Sequence, residues 1–325
     1  MIYTDNAINL LTVKTYKGIG RAWIVKNLKG NESAEEIISL LNNKSKQKEE
    51  IKIEDFEFNK NQILEKILNF GDSCDGIVSF GDKNFPKHRG NVKESEKPIF
   101  LFYKGDIDLL DIENNNITVI GLLNPDKTVA QREQKIVQEI IKHDITIVSG
   151  LAFGCDSIAH QEAINGGKTI AILPAPLNNI LPAKNRDLAY KIVEKGGLLI
   201  SEYYEDFKGR YELNSRYKER DRLQALFCDT IILIASYAQD SSNRWNIKDQ
   251  KLDSGARLAM SYAKDYHIIR AVMYNEEIDN NNPMFDLNRE LIHDDKSIKV
   301  LSKKEIKIII DAIRQKQHTN YRTLF

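Results

Sequence analysis

From Asn116 onward the chain alternates short, continuously apolar segments with longer amphipathic ones, and few folds accept that pattern. The apolar segments cover 117–120, 145–148, 169–173, 198–200, 230–234 and 267–273. Helical spacing of apolar residues marks 129–142, 156–165, 185–195, 222–227 and 254–264 between them. A strand apolar at every position needs cover on both faces, so it belongs in a parallel sheet sandwiched by helices. The fold class expected is α/β, a Rossmann-like, doubly wound, mostly parallel sheet. Such sheets bind ligands at the carboxyl ends of their strands.

Upstream the pattern is different. Ile8, Leu11, Ile24, Leu28, Ile37, Leu41, Ile63 and Ile67 recur at helical spacing, with a lysine-rich stretch over 42–55 read as a loop. A small helical domain of helix-hairpin-helix type is expected over 1–72, the Rossmann-like domain over 73–318 and a frayed tail to 325. Within the large domain, 77–80 and 99–103 read as further strands, 285–292 and 303–314 as closing helices. With 47 basic and 47 acidic side chains, the chain lacks a whole-molecule grip on polyanions, so any such site must be local. Cys74, Cys155 and Cys228 are too scattered for a metal site or a disulfide framework, which fits a reducing, cytoplasmic setting. No secretory leader and no apolar run of membrane-spanning length is read, and no cofactor is expected.

The most informative segment is Ser149-Gly150-Leu151-Ala152-Phe153-Gly154, directly after one strand and before one helix. Gly150 and Gly154 permit close backbone approach, Ser149 offers a hydroxyl, and the helix start offers N–H groups and a positive dipole end. The competing structural role is a tight turn with Asp156 as helix N-cap. Lys184, Asn185 and Arg186 sit after the next strand. A long loop is read from Tyr204 to Arg222, where 208–222 holds six basic and three acidic side chains interleaved with tyrosines. Basic residues among aromatics suit a single-stranded backbone with stacked bases.

In their order and spacing these pieces resemble the DNA-processing protein A (DprA/Smf) family. Ser149-Gly150-Leu151-Ala152-x-Gly154-x-Asp156-x-x-Ala159-His160 is similar to its signature loop and helix, and Pro182-x-Lys184-Asn185 to the segment that follows. Leu199-Ile200-Ser201-Glu202-Tyr203, Arg220-Asp221-Arg222, Ala256-Arg257-Leu258-Ala259 and Asn288-Arg289-x-Leu291-Ile292 resemble later elements. Phe80-Gly81-Asp82, Leu101-Phe102-Tyr103-Lys104-Gly105 and Lys17-Gly18-Ile19-Gly20 resemble earlier ones.

The resemblance implies single-stranded DNA binding without catalysis, homodimerisation and loading of a RecA-type recombinase during DNA uptake or repair. It implies phosphate contacts from the backbone of Ser149 to Gly154 and from Lys184, Arg220 and Arg222, a set that Asn185, Arg216 and Lys218 complete. The chain also departs from the pattern. Gly121 is followed by Leu122-Leu123 where the family carries a phosphate-binding arginine, with Arg132 the nearest stand-in. Asp221 replaces a neutral residue between two arginines, and no room is read after the Rossmann-like domain for the winged-helix module of many members. Weaker DNA binding is therefore expected. Two other roles stay open, both compatible with phage defence: a sensor of a nucleotide signal, and an antitoxin-like partner of an operon-encoded toxin. A catalytic Asp156–His160 pair is set aside because no nucleophile accompanies it; a packed histidine is expected instead.

Overall fold

A computed structural model describes residues 1–44, 50–248, 252 and 255–322. Four helices open the chain: α1 (Asp5–Val13), α2 (Arg21–Asn27), α3 (Ala34–Asn43) and α4 (Ile53–Leu68). Two strands follow, β1 (Gly76–Ser79) and β2 (Phe100–Gly105). Strands and helices then alternate: β3 (Asn116–Ile120), α5 (Lys127–Ile141), β4 (Thr146–Ser149), α6 (Cys155–Ala163), β5 (Thr169–Leu173), α7 (Arg186–Glu194), β6 (Leu198–Ser201) and α8 (Arg210–Leu226). The chain continues through β7 (Thr230–Leu233), α9 (Ser241–Arg244), α10 (Ala256–Asp265), β8 (Ile269–Val272), α11 (Glu276–Asp279), α12 (Asp286–Asp294), β9 (Lys299–Val300) and α13 (Lys303–Arg322).

Among the described residues all nine strands form one sheet, in the order β1-β2-β6-β5-β4-β3-β7-β8-β9. The seven from β6 to β9 are parallel, and β2 and β1 extend the β6 edge antiparallel. The chain winds outward from β3 to β6, then crosses to β7 and winds the other way. That reversal makes the fold doubly wound and puts β3, β4 and β7 beside its switch point. Successive residues still alternate between faces. Ile170, Ile172, Leu198 and Ile200 pack with Leu223 and Leu226 of α8 and Met260 of α10, whereas Ala171, Leu173 and Leu199 pack with Ile192 of α7. Both faces of the central strands are buried, which is why those strands are mostly apolar.

The opening helices share that second cluster: Leu10, Ile24, Leu41, Phe56 and Ile67 are continuous with Phe100 and Phe102 of β2. Asn6 donates to Ser79 Oγ, to the Phe80 carbonyl and to Asp82. Lys17-Gly18-Ile19-Gly20 forms the turn between α1 and α2, with Gly18 at φ +81°.

Two boundaries differ from expectation. The stretch read as a loop up to Arg222 is mostly helix, because α8 begins at Arg210. Its buried face carries Arg216, Arg220, Asp221 and Arg222 ahead of Leu223, so charge hides the apolar stripe that usually reveals a helix. The last helix continues to Arg322, beyond the expected start of the tail. Within the lysine-rich stretch, residues 45–49 lie outside the described residues.

Candidate phosphate-binding edge of the sheet

The Ser149–Gly154 loop leaves the carboxyl end of β4 and enters α6. Ser149 is fully buried and its hydroxyl donates to the Val119 carbonyl of β3 (2.7 Å), which fixes the strand end. Leu151 takes a left-handed conformation at φ +59°. Gly154 does so at φ +70°, where a Cβ would stand 2.2 Å from the Leu122 carbonyl oxygen. The N-cap position belongs to Gly154 rather than Asp156. Asp156 instead turns back under the loop, where its Oδ2 accepts from the N–H groups of Gly150 and Ala152, both at 3.2 Å. The loop is thus shaped around a carboxylate of its own chain. Among the described residues none accepts from the N–H groups of Leu151, Phe153 or Gly154. Phe153 is exposed at the tip, beside the exposed Leu123 that follows β3.

The carbonyl side of the loop is held by Asn185. Its Nδ2 donates to the carbonyls of Leu151 (2.8 Å) and Ala152 (3.2 Å) and to Ser157 Oγ (2.9 Å). Its neighbours Lys184 and Arg186 stand exposed at the start of α7. Lys218 is exposed on the outer side of α8.

The three arginines of α8 are placed otherwise. Arg220 is buried, 3.7 Å from Asp156 and 3.4 Å from Asp221, with its guanidinium 5.7 Å from the Tyr217 ring centre. It lies across Gly150 so closely that a Cβ there would fall 1.1 Å from its Nη1. Arg222 is 1% exposed and pairs with Glu202 and with Glu219 (3.3 Å). Arg216 donates to Glu212 (2.6 Å) and to the Glu205 carbonyl (2.7 Å), and stacks 4.2 Å over Tyr203. Arg132 is held by Asp279 at 2.7 and 2.8 Å.

Charge states follow from this packing. Burial pushes the Asp156 carboxyl up; Arg220 and the loop N–H groups offset only part of that, so it stays above the ordinary value. Burial pushes Glu202 up as well, but Arg222 and Arg21 prevail and hold it below the usual range. Glu133 of α5 is fully buried beside Cys155, and burial raises it far above a normal carboxyl. His160 is buried too, with Nδ1 2.7 Å from Thr169 Oγ1. The Thr169 hydroxyl donates to the Ile147 carbonyl, so its oxygen accepts the Nδ1 proton and Nε2 is left bare in the core. Burial, then Arg220, lowers the imidazole to about 3, the state of a packed histidine rather than of a general base. Among the described residues no cluster suits a metal ion, and no helix is long and apolar enough to cross a membrane.

Two contributions escaped the reading of the sequence. Asp156 is an anion that organises the loop, and Asn185 is a brace rather than a loose polar neighbour. Asp two residues after the loop's last glycine was the available signal for the first; the second depends on a contact across two strands.

A doubly wound sheet with a glycine-bearing loop at its carboxyl edge and an antiparallel extension beyond β6 defines a Rossmann-like α/β protein. The chain belongs to the DNA recombination-mediator protein A family, whose sequence model matches residues 76–243, more than half of its length. It is 30% identical over 180 residues to Protein Smf of Borreliella burgdorferi, covering 55% of this chain and 54% of that one. Identity to DNA processing protein DprA of Streptococcus pneumoniae is 33% over 148 residues, 45% of this chain and 50% of the relative. The matched region therefore spans about half the length of each relative. The crystal structure of the Streptococcus pneumoniae protein superposes with a TM-score of 0.67 at 22% identity, over 94% of this chain and 98% of that one. DNA processing protein A of Helicobacter pylori, studied for its single-stranded DNA binding mode, gives 0.53 at 24% identity over 72% and 99%. At these identities the superpositions establish the shared fold.

Proposed function

We propose that this chain binds single-stranded DNA along the carboxyl edge of its sheet and acts, without catalysis, as a recombination mediator. The observation that carries the reading is the loop after β4. Two of its N–H groups are spent on Asp156, and those of Leu151, Phe153 and Gly154 are left for an external anion. Lys184, exposed beside Asn185 in sequence, supplies a positive charge at the same edge of the sheet. Phe153 offers an aromatic face on which a base can stack. The family relationship supports the same ligand. Homodimerisation and recombinase loading belong to this reading as its expected consequences.

Direct titration of fluorescent single- and double-stranded oligonucleotides across a salt series tests it. Preferential binding of the single strand, weakening steadily with salt, is expected. Equal and negligible binding of both at low salt would overturn the reading.

A further inference from the structure

A second cleft lies where the opening helices meet the antiparallel edge of the sheet. It is bounded by the end of α1, the start of α2, Lys66 of α4, the start of β2 and the segment after β6, and has a volume of about 410 Å³. That volume falls within the span typical of small-molecule sites, roughly 300–1,000 Å³. Of the residues expected to bind DNA, it shares only Arg216.

Four cations line the cleft, Lys14, Arg21, Lys66 and Arg216, against two carboxylates, Glu202 and Glu205. Three of the cations are engaged. Arg21 reaches Glu202 (3.3 Å) and Glu219 (2.7 Å), Lys66 reaches Glu205 (2.6 Å), and Arg216 holds Glu212. Glu202 is shared with Arg222 as well, so its charge is already claimed twice. Lys14 has no ion-pair partner among the described residues. Burial, then the neighbouring Arg21, makes its ammonium easier to deprotonate than a solvated lysine. Crowded cations with one unpaired member form a site that an anion would relieve. The remaining wall is aromatic: Phe100, Tyr203 and Tyr204. Tyr203 is covered by Arg216, and Tyr204 leans on Phe102 at 6.0 Å, so both rings are fixed by packing rather than freely rotating.

An inorganic anion would use the cations and leave the aromatic wall bare; an apolar molecule would do the reverse. We propose that this cleft binds a phosphorylated nucleotide, with its phosphate at Lys14 and Arg21 and its base against Tyr204 and Phe100. The nucleotide can be a free mononucleotide or the phosphorylated end of a DNA strand; the chemistry recognised is the same. Binding here does not require DNA to bind at the loop after β4.

Isothermal titration of the full chain with deoxyadenosine 5′-monophosphate tests this, alongside deoxyadenosine and inorganic phosphate. The nucleotide should bind, and each half alone should bind at least tenfold more weakly. Lys14→Gln should weaken the nucleotide about tenfold while leaving the melting temperature unchanged. Tyr204→Leu should weaken it comparably, whereas Lys184→Ala should leave it unchanged. Competition by an oligonucleotide with a 5′-phosphate, but not by its 5′-hydroxyl form, would identify a strand end as the source; its absence would identify a free nucleotide. No heat with the nucleotide up to millimolar concentration overturns the proposal. So does binding indifferent to both Lys14→Gln and Tyr204→Leu, or binding that Lys184→Ala abolishes, which would move the ligand to the loop.

Discussion

The inner face of α8 and the rim of the sheet edge both carry positive charge, but they hold it in opposite physical states. Arg216, Arg220 and Arg222 are buried and paired, and Arg216 and Arg220 also lie over tyrosine rings. Lys184, Arg186 and Lys218 are exposed to solvent. A buried pair loses most of its Coulomb gain to desolvation, yet breaking it strands a charge in the core. An exposed lysine contributes little to stability and keeps its charge available to a polyanion. Under the proposed reading, the difference teaches that the cradle and the grip are made by different residues: Arg220 packs against the loop after β4, Arg216 and Arg222 tie α8 to the segment after β6, and the exposed cations are the ones left for a ligand.

The largest effect should come from the inner face. Arg222→Ala leaves Glu202 buried without its closest partner, and a loss of about 3–5 kcal/mol is expected from chemical denaturation. Replacing both partners, Arg222→Met with Glu202→Leu, should recover much of that loss. The repaired double variant is the sharper probe. If Arg222 is scaffold, it retains the salt dependence of DNA binding; if the slope falls by the amount of one phosphate contact, the division between cradle and grip breaks down.

Much of this arrangement was legible in the sequence, and what was not has a common cause. The strands from β3 to β8 announced themselves because both sheet faces are buried there, and the Ser149–Gly154 loop stood out because Gly150 and Gly154 serve backbone geometry that other residues cannot reproduce. The roles of Arg216, Arg220 and Arg222 were not legible, since a positive charge reads as solvated until its partner is known. Asp156 in the first turn of α6 and Glu202 just after β6 meet α8 only in the folded sheet. The same burial erased the amphipathic stripe of α8 and made a helix read as a loop.

His160 tests how dry the space around Arg220 is. Folded, the ring stays neutral down to about 3, first through burial and then through Arg220, against an unperturbed value of 6.5. The unfolded chain therefore takes up its proton first as pH falls. The stability contributed by the neutral ring is complete above about 6.5 and is lost progressively towards 3. At pH 5 the loss amounts to about 2 kcal/mol, taking 1.36 kcal/mol per pH unit. Chemical denaturation at pH 7 and pH 5 should show this acid loss in the parent and less of it in His160→Gln. Equal losses would mean that water reaches the ring, and that Arg220 beside it is less secluded than its packing indicates.

The smallest expected effect on stability is the most informative about function. Lys184 is exposed on the turn before α7 and forms no ion pair among the described residues, so Lys184→Ala should change unfolding free energy by less than about 0.5 kcal/mol. Its effect should appear in binding. Removing one phosphate contact lowers the salt slope on a single strand by about 0.7 and weakens affinity most at low salt. Asn185→Ala separates charge from posture: it keeps the lysine but removes the three donations that hold the loop carbonyls and Ser157. That variant should lose affinity with its salt slope intact, because the loop N–H groups drift while the cation count is unchanged. A Lys184→Ala protein that binds single strands with an unaltered slope would transfer the grip to Lys218 and Arg186, and would separate that lysine from the loop.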